Sequence, residues 1–243
     1  MRAEGVEAVV LRKFEMGEAD LGVELFTYRW GRIHALAKGG RKSHRRFMNK
    51  LEPFKYIRGL FRGRRRGLML LEGADIIRPF LHLTEDLKKT IYAFYAVELV
   101  RVMTPMWDPH PQVLELLLRF FDFLEEGEAG EDHLRVLELR MLTLLGYRPR
   151  LDKCVRCGGE LVGGGWFSLS LGGVVCKKCK EGDDLIMLSE ETLKVLSHLL
   201  KGKGRTPFLP KVKEEARRFL PAFIRYHTDR DLHTLRVMDE LGV

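Results

Sequence analysis

Cys154, Cys157, Cys176 and Cys179 are the four cysteines of the chain, and they fall within 26 residues as C-x2-C-x18-C-x2-C. A two-residue gap lets two thiolates of one tight turn face a single ion, and two such pairs supply the four soft corners of a zinc tetrahedron. The distance between the pairs lies in the zinc range. Gly158-Gly159 follows the first pair, where backbone N–H groups must turn toward sulfur. Two other chemistries also use paired cysteines. Disulfides belong to oxidising compartments. The N-terminus, MRAEGVEAVVLRKFEMGEAD, has only a short apolar stretch before Arg12, Lys13 and Glu15, so it does not read as a secretory signal and a cytoplasmic address is expected. A redox C-x-x-C belongs to a thioredoxin context, which two ribbon-spaced pairs do not provide. One Zn2+ ion is therefore expected on Cys154, Cys157, Cys176 and Cys179. Four thiolates leave no place for water, so its role is structural. Lys153, Arg156, Lys177, Lys178 and Lys180 surround the pairs. They are read as offsetting the negative charge of a tetrathiolate centre in preference to touching phosphate.

A second chemistry is electrostatic. The chain of 243 residues carries a net charge of +8, and the excess is local. Residues 38–66 hold twelve basic residues against one acid, Glu52, which leaves the other 214 residues at −3. Such a cluster is the footprint of a polyanion partner, most often nucleic acid. Lys38, Arg41, Lys42, Arg45, Arg46, Lys50, Arg62, Arg64, Arg65 and Arg66 are the candidate nucleic-acid contacts. A solubilising face is the blander alternative, and the near absence of acids in the segment argues against it. Phe26, Tyr28, Trp30, Phe54 and Tyr56 are candidate stacking platforms, although most are expected to face the core.

These residues need elements to position them. Hydrophobic residues make up 45% and charged residues 31% of the chain, a globular mixture. No apolar run approaches the roughly 20 residues of a membrane helix. Residues 1–80 read as strands: a β-branched run at Val6 to Leu11, an alternating run at Leu21 to Arg29, a turn at Trp30-Gly31 and a return strand through Ile33, Ala35 and Ala37. A basic stretch, Lys38 to Asn49, follows. Residues 50–62 and 67–78 alternate again across Gly63 to Gly67. Five strands with a break after the third fit an oligonucleotide-binding (OB) barrel, and an SH3-like barrel fits the pattern as well. The turns at Lys38–Arg46 and Arg62–Arg66 are expected on adjacent strand ends, forming a groove.

From Pro79 the period becomes helical. Thr84, with Glu85 and Asp86, reads as a helix start. Further helices are expected at Val113 to Leu124, at His133 to Leu145 ended by Gly146, after Ser189 to Leu200, from about Lys211 to Tyr226 with a possible kink at Pro221, and from Asp229 or Asp231 to Leu241. The fold class is thus α+β. An N-terminal five-stranded OB-fold barrel over residues 1–80 precedes a mostly α-helical domain over 81–243, with the four-cysteine zinc knuckle inserted at 151–180.

Several segments, in order, resemble one family. They are Lys38-Gly39-Gly40-Arg41-Lys42, Leu51-Glu52-Pro53-Phe54, LLGYRPRLDKCVRCG (Leu144 to Gly158), the stretch from Phe167 to Cys179 ending GGVVCKKC, and FIRYHTDRDLHTLR (Phe223 to Arg236). Together they make the chain similar to the RecO family of bacterial recombination mediators over nearly its whole length. The resemblance implies a non-enzymatic DNA repair factor. Such proteins bind single- and double-stranded DNA and anneal complementary strands. They contact single-stranded-DNA-binding protein through its C-terminal tail, pair with RecR, and help load RecA. A cytoplasmic, nucleoid-associated location and no membrane partner go with that role. Some members lack the cysteines; this chain has all four. Its Arg62 to Gly67 loop is more basic than the family leads one to expect, so DNA contact there rests on charge alone. A basic-rimmed site for the acidic tail, with Arg217, Arg218, Arg225 and Phe223, competes with the plainer reading of an ordinary amphipathic helix.

An enzyme would need a constellation. No phosphate-loop, nucleophile-elbow or H-E-x-x-H motif is present, and the eight histidines are scattered. The acids at 125–132 read as a solvated loop. The nearer rival is an RNA-binding or translation-associated zinc protein built on the same barrel.

Overall fold

A computed structural model describes residues 3–43, 45–63, 66–128, 130–202 and 208–243. Packing divides the chain into two compact units, Met1–Glu128 with Val237–Val243, and Ala129–Arg236.

The first unit contains a closed barrel of five strands: β1 (Glu4–Met16), β2 (Asp20–Thr27), β3 (Gly31–Ala37), β4 (Tyr56–Arg62) and β5 (Met69–Arg78), in the order β1-β2-β3-β5-β4. All neighbouring pairs are antiparallel except β3 with β5. A parallel neighbour cannot be reached by a tight hairpin and needs a crossover, which residues 38–55 supply. This is the break that the sequence pattern showed after the third strand. In β4, Ile57, Gly59 and Phe61 face in, while Arg58, Leu60 and Arg62 face out. β1 is less regular. Val6, Ala8 and Val10 point into the core, but the register slips between Val10 and Arg12. Beyond the slip Lys13 stands opposite the core residue Val23, and Phe14 stands opposite Gly22. A one-residue bulge reverses the faces of a strand, so Arg12, Phe14 and Met16 point outward. At the β2–β3 turn, Gly31 has φ +68, and a Cβ there would lie 1.9 Å from the Asp108 carbonyl oxygen. Only glycine meets both demands.

Two helices complete this packing, α1 (Leu87–Met103) and α2 (Pro111–Glu126). Asp86, not Thr84, caps α1: its carboxylate accepts the Lys89 N–H at 2.8 Å. Thr84 instead closes a 3-10 turn, His82–Thr84, with its hydroxyl donating to the Leu81 carbonyl at 3.0 Å. A carboxylate at the cap both satisfies a free N–H and suits the positive end of the helix. Phe54 meets Phe94 and Phe121 edge-on, at 4.7 and 5.7 Å between ring centres. Glu24 of β2 is 3% exposed. Arg32 Nη1 donates to its Oε1 at 3.0 Å and Arg101 Nε to its Oε2 at 2.9 Å. A lone buried carboxylate would be costly; two guanidinium groups answer both oxygens.

The second unit holds α3 (Glu131–Leu144), then a small sheet of β6 (Gly165–Ser168), β7 (Gly173–Val175) and β8 (Leu185–Leu188) in the order β7-β6-β8. α4 (Glu190–Leu200) and α5 (Pro210–Thr228) follow, and α6 (His233–Leu241) begins there. Ser189 caps α4 as expected, accepting the Thr192 N–H at 3.3 Å. α5 continues through Pro221. Asp229 does not open the last helix; it closes α5 in the left-handed conformation, φ 51. Phe167 of β6 packs on Phe219 and Phe223 of α5, at 4.4 and 4.8 Å. Among the described residues no helix is long and apolar enough to cross a membrane.

The Glu24 cluster gives a stability test. Glu24→Ala strands two arginines and should cost about 3–5 kcal/mol in chemical denaturation. Replacing Glu24, Arg32 and Arg101 together by Met should cost less than the single change, because no unpaired charge remains.

Candidate nucleic-acid interface and metal centre

The backbone of the basic turn after β3 is held at several points, and some of its cationic side chains are engaged while others are not. Phe47 and Leu51 are buried in the barrel core. Gly39 N–H donates to Asp20 Oδ1 at 2.7 Å, Arg41 N–H to the Ala19 carbonyl at 3.0 Å, and Arg46 Nη2 to the Lys38 carbonyl at 2.9 Å. Arg46 also lies over the Phe47 ring, 4.9 Å from its centre. Lys38, Lys42 and Arg45 are exposed and form no ion pair with carboxylates among the described residues. Other candidates are engaged at the surface. Arg41 pairs with Glu15 at 3.3 Å and Arg62 with Glu72 at 2.9 Å. Lys50 donates to the Ala74 carbonyl at 2.7 Å and reaches Asp75 at 3.3 Å. Exposed ion pairs such as Arg41–Glu15 are worth about 0–1 kcal/mol. Arg66 is exposed, at φ 66. Arg64 and Arg65 lie outside the described residues, as does His44.

The end of β3, which leads into the first basic turn, and the start of β5, which follows the second, are neighbours in the barrel. β3 and β5 are parallel, with Ala35 opposite Met69 and Leu36 opposite Leu70. Arg62 of β4 stands opposite Leu70 of β5, and Arg64 and Arg65 between these strands are outside the described residues. The first turn adjoins the β1–β2 hairpin, with Arg41 N–H bonded to the Ala19 carbonyl. A cleft of about 370 Å³ opens beside it, lined by Lys13, Phe14, Arg41, Ser43, Met48 and Asn49 among others.

Of the aromatic candidates, Phe26, Trp30 and Phe54 are buried. Tyr28 is half exposed. Tyr56 is partly buried, and its hydroxyl donates to Glu7 Oε2 at 2.5 Å. Burial, then the bond to Glu7, holds the Tyr56 proton far more tightly than usual. Glu7 is held below the ordinary carboxylate range by Tyr56 and then Arg58. Phe14 was missed by alternation. Its signal is the pair Phe14–Gly22 across β1 and β2, visible only once the bulge is placed.

The four sulfurs lie within 4.8 Å of one another, with Cys157 and Cys176 at 3.9 Å. A tetrahedron with Zn–S bonds of about 2.3 Å has edges of roughly 3.8 Å. Each pair sits on a tight turn: Gly158 N–H donates to the Cys154 carbonyl at 2.8 Å, and Cys179 N–H to the Cys176 carbonyl at 3.0 Å. Cys176 N–H points at Cys154 Sγ, 3.3 Å away. Burial opposes ionisation of Cys154, yet backbone N–H donors from Cys176, Cys157 and Arg156 bring its thiol down to about 6. Neighbouring sulfurs, Cys157 foremost, push Cys179 up to about 12. The set therefore fits a thiophilic dication, which would let all four ionise together. The knuckle is tied to its sheet by Val155 N–H donating to the Val174 carbonyl at 2.9 Å. Arg156 pairs with Glu181, and Lys180 lies over the Trp166 ring at 4.7 Å. Lys153, Lys177 and Lys178 are exposed around it.

The site sketched around α5 does not form. Phe223 is buried, Arg217 pairs with Glu131 at 3.0 Å, Arg225 with Asp231 at 3.2 Å, and Arg218 donates to the Met187 carbonyl at 3.0 Å. This is an ordinary amphipathic helix.

A family model described as Recombination protein O N terminal matches residues 1–80, and one described as Recombination protein O C terminal matches residues 84–236. The chain is similar to the DNA repair protein RecO of Myxococcus xanthus (strain DK1622), with 36% identity over 238 residues, covering 98% of this chain and 97% of that one. It is 37% identical over 242 residues to the DNA repair protein RecO of Anaeromyxobacter sp. (strain K), covering 96% and 95%. Against the DNA repair protein RecO of Pelotomaculum thermopropionicum the identity is 34% over 247 residues, covering 100% and 96%.

Cys154→Ser should lower the metal-to-protein ratio measured by elemental analysis and lower the melting temperature by roughly 5 °C or more, because metal binding and folding are coupled. Full metal content with an unchanged melting curve would show the ligand set to be wrong.

Proposed function

The chain belongs to the RecO family of DNA repair and recombination proteins, and from this premise we infer that it works as a non-enzymatic mediator. In this reading it binds single- and double-stranded DNA, anneals complementary strands, and with RecR helps load RecA onto DNA coated by single-stranded-DNA-binding protein. The latter would be met through its acidic C-terminal tail. Residues 1–80 and 81–243 are taken as the two functional modules, and the meeting of the two family models between residues 80 and 84 supports that division. The location is taken as cytoplasmic, with the nucleoid. No catalytic residue is assigned.

The observation that carries the reading is the turn with a pinned backbone and three free cations, Lys38, Lys42 and Arg45. Annealing requires two polyanions to approach. Each phosphate held by such a side chain releases counterions. Phosphate contacts fix the path of a strand but carry no sequence information, as an annealing factor needs, and they leave base edges free to pair. Arg41, Arg46 and Lys50 extend the same turn. Arg62, Arg64, Arg65 and Arg66 would form a second phosphate contact. About six phosphate contacts would weaken binding roughly 10³-fold between 50 and 200 mM salt.

Cys154, Cys157, Cys176 and Cys179 would hold one Zn2+, which when bound supplies a structural cross-link. The chain's own part is the pair of tight turns that aim four sulfurs at one point.

Replacing Lys38, Lys42 and Arg45 together by Ala tests the interface. The dependence of log affinity for single-stranded DNA on log salt should flatten by about 2, since each single-strand phosphate contact contributes about 0.7. Annealing of complementary oligonucleotides should slow, while the melting temperature stays close to the parent value because the residues are exposed. An unchanged slope would remove this turn from the interface.

A further inference from the structure

We propose that Phe14, seated on Gly22 and flanked by Arg12 and His34 on the outer face of β1, β2 and β3, is a stacking platform for one base of single-stranded DNA. The proposal rests on the reading of the Lys38–Lys50 turn as a phosphate-binding surface and gives that surface a base-dependent component.

The geometry begins with the bulge in β1, which turns Phe14 out of the barrel. Its ring lies against the sheet at a position with no side chain. A Cβ built on Gly22 would fall 2.2, 2.5 and 2.8 Å from three carbons of that ring. Glycine thus makes a shallow seat in the strand. The His34 ring stands edge-on to Phe14, with centres 6.3 Å apart and planes at 78°. The Arg12 guanidinium lies 5.8 Å from the centre of the Phe14 ring, near the outer limit of a cation–π contact. There it can turn to a phosphate when a base occupies the ring. Arg12 and His34 are exposed, and Phe14 is partly so. By contrast Phe26, Phe54 and Phe61 are each 2% exposed or less.

The acids near this face are each paired or engaged: of the two that line the adjoining cleft, Glu15 pairs with Arg41 and Glu52 with Lys13. Arg12 and His34 both lie opposite or beside Glu24 in the register, but Glu24 is buried and held by Arg32 and Arg101. Asp20, further along, is used to accept the Gly39 N–H. The face is also continuous with the basic turn. Gly22 pairs with Leu36 and Leu21 with Ala37, and the next residue of the chain is Lys38. Phe14 borders the cleft of about 370 Å³ that opens beside Arg41 and Ser43. A strand whose phosphates follow Lys38, Lys42 and Arg45 would bring its bases past an aromatic ring seated over Gly22. Every base has a π-face, so such a platform adds affinity for single strands without sequence preference. A paired base inside a duplex cannot reach it.

The test compares oligodeoxythymidylate with an abasic oligonucleotide of the same length and charge, both binding to the full chain. Phe14→Ala should weaken binding to oligodeoxythymidylate about fivefold or more, leave the abasic strand bound as before, and leave the salt slope unchanged. Gly22→Ala, which displaces the ring, should repeat that loss, whereas Phe14→Tyr should retain binding. In Phe14→Trp, oligodeoxythymidylate should quench fluorescence beyond the change seen in the parent protein, and the abasic strand should not. A Phe14→Ala protein with the parent melting curve that binds both strands as the parent does, or loses equally on both, overturns the platform alone. A parent protein that binds neither strand overturns the DNA-binding reading and the platform together.

Discussion

β1 pairs with β4 from Glu4 to Val9 and with β2 from Ala8 to Met16, so Ala8 and Val9 are paired on both sides. That overlap is what closes the sheet on itself. A strand shared in this way must bend, and a bulge lets it do so at the cost of one unpaired residue. The slip between Val10 and Arg12 falls just past the overlap. Its consequence is chemical as well as geometric. The first half of β1 spends its even-numbered side chains on the core, and the second half presents Arg12 and Phe14 to the outside while Lys13 turns to Glu52, 2.5 Å away. Removing the bulge would bury Arg12 in an apolar interior, which no partner there could answer.

The basic turn depends on the same frame. Asp20 begins β2, next to the bulged end of β1, and its carboxylate holds the Gly39 N–H. Phe47 and Leu51 then pin the far side of the turn in the barrel core. Ordering a loop on binding costs free energy, and a turn already ordered avoids that cost. Long cationic side chains on a pinned backbone remain adaptable, which suits a ligand whose phosphates vary in path. The acids of the barrel are mostly occupied. Glu24 is sealed by two arginines, Glu7 by Tyr56 and Arg58, and Glu72 by Arg62. Of the surplus read from residues 38–66, Arg41, Lys50, Arg58 and Arg62 pair with acids, whereas Lys38, Lys42 and Arg45 form no ion pair among the described residues.

Much of this was legible in sequence because it follows short periods. Alternation gave the five strands, and the long basic segment after Ala37 marked the crossover. The cysteine spacing needed no fold at all, since two tight turns and one ion define it. What failed were features set by distant partners. Nothing in Lys38–Arg46 or Arg62–Arg66 says that β3 and β5 run parallel. Phe14 sits in a run whose alternation, carried forward from Val6, would place it inside. Phe223 and its neighbouring arginines look like a basic-rimmed groove in one dimension, but Phe167 arrives from a strand some 50 residues earlier and covers the ring. At the start of α1 two good caps stood two residues apart, and the carboxylate of Asp86 outcompeted the hydroxyl of Thr84.

The sulfur cluster answers a different need. The three strands of the second unit are four, three and four residues long, too short to be stable as a sheet without support. Phe167 gives that support on one side through Phe219 and Phe223. On the other, the segment carrying Cys154 and Cys157 is held by a few backbone bonds to β7 and by a Gly173 so close to Val155 that a Cβ would lie 2.3 Å from its side chain. Four sulfurs within 4.8 Å are unfavourable neighbours as thiolates, and a dication bound there would turn that repulsion into a cross-link. Lys153, Lys177 and Lys178, exposed around the cluster, would lower the cost of concentrating negative charge there if the four sulfurs ionised.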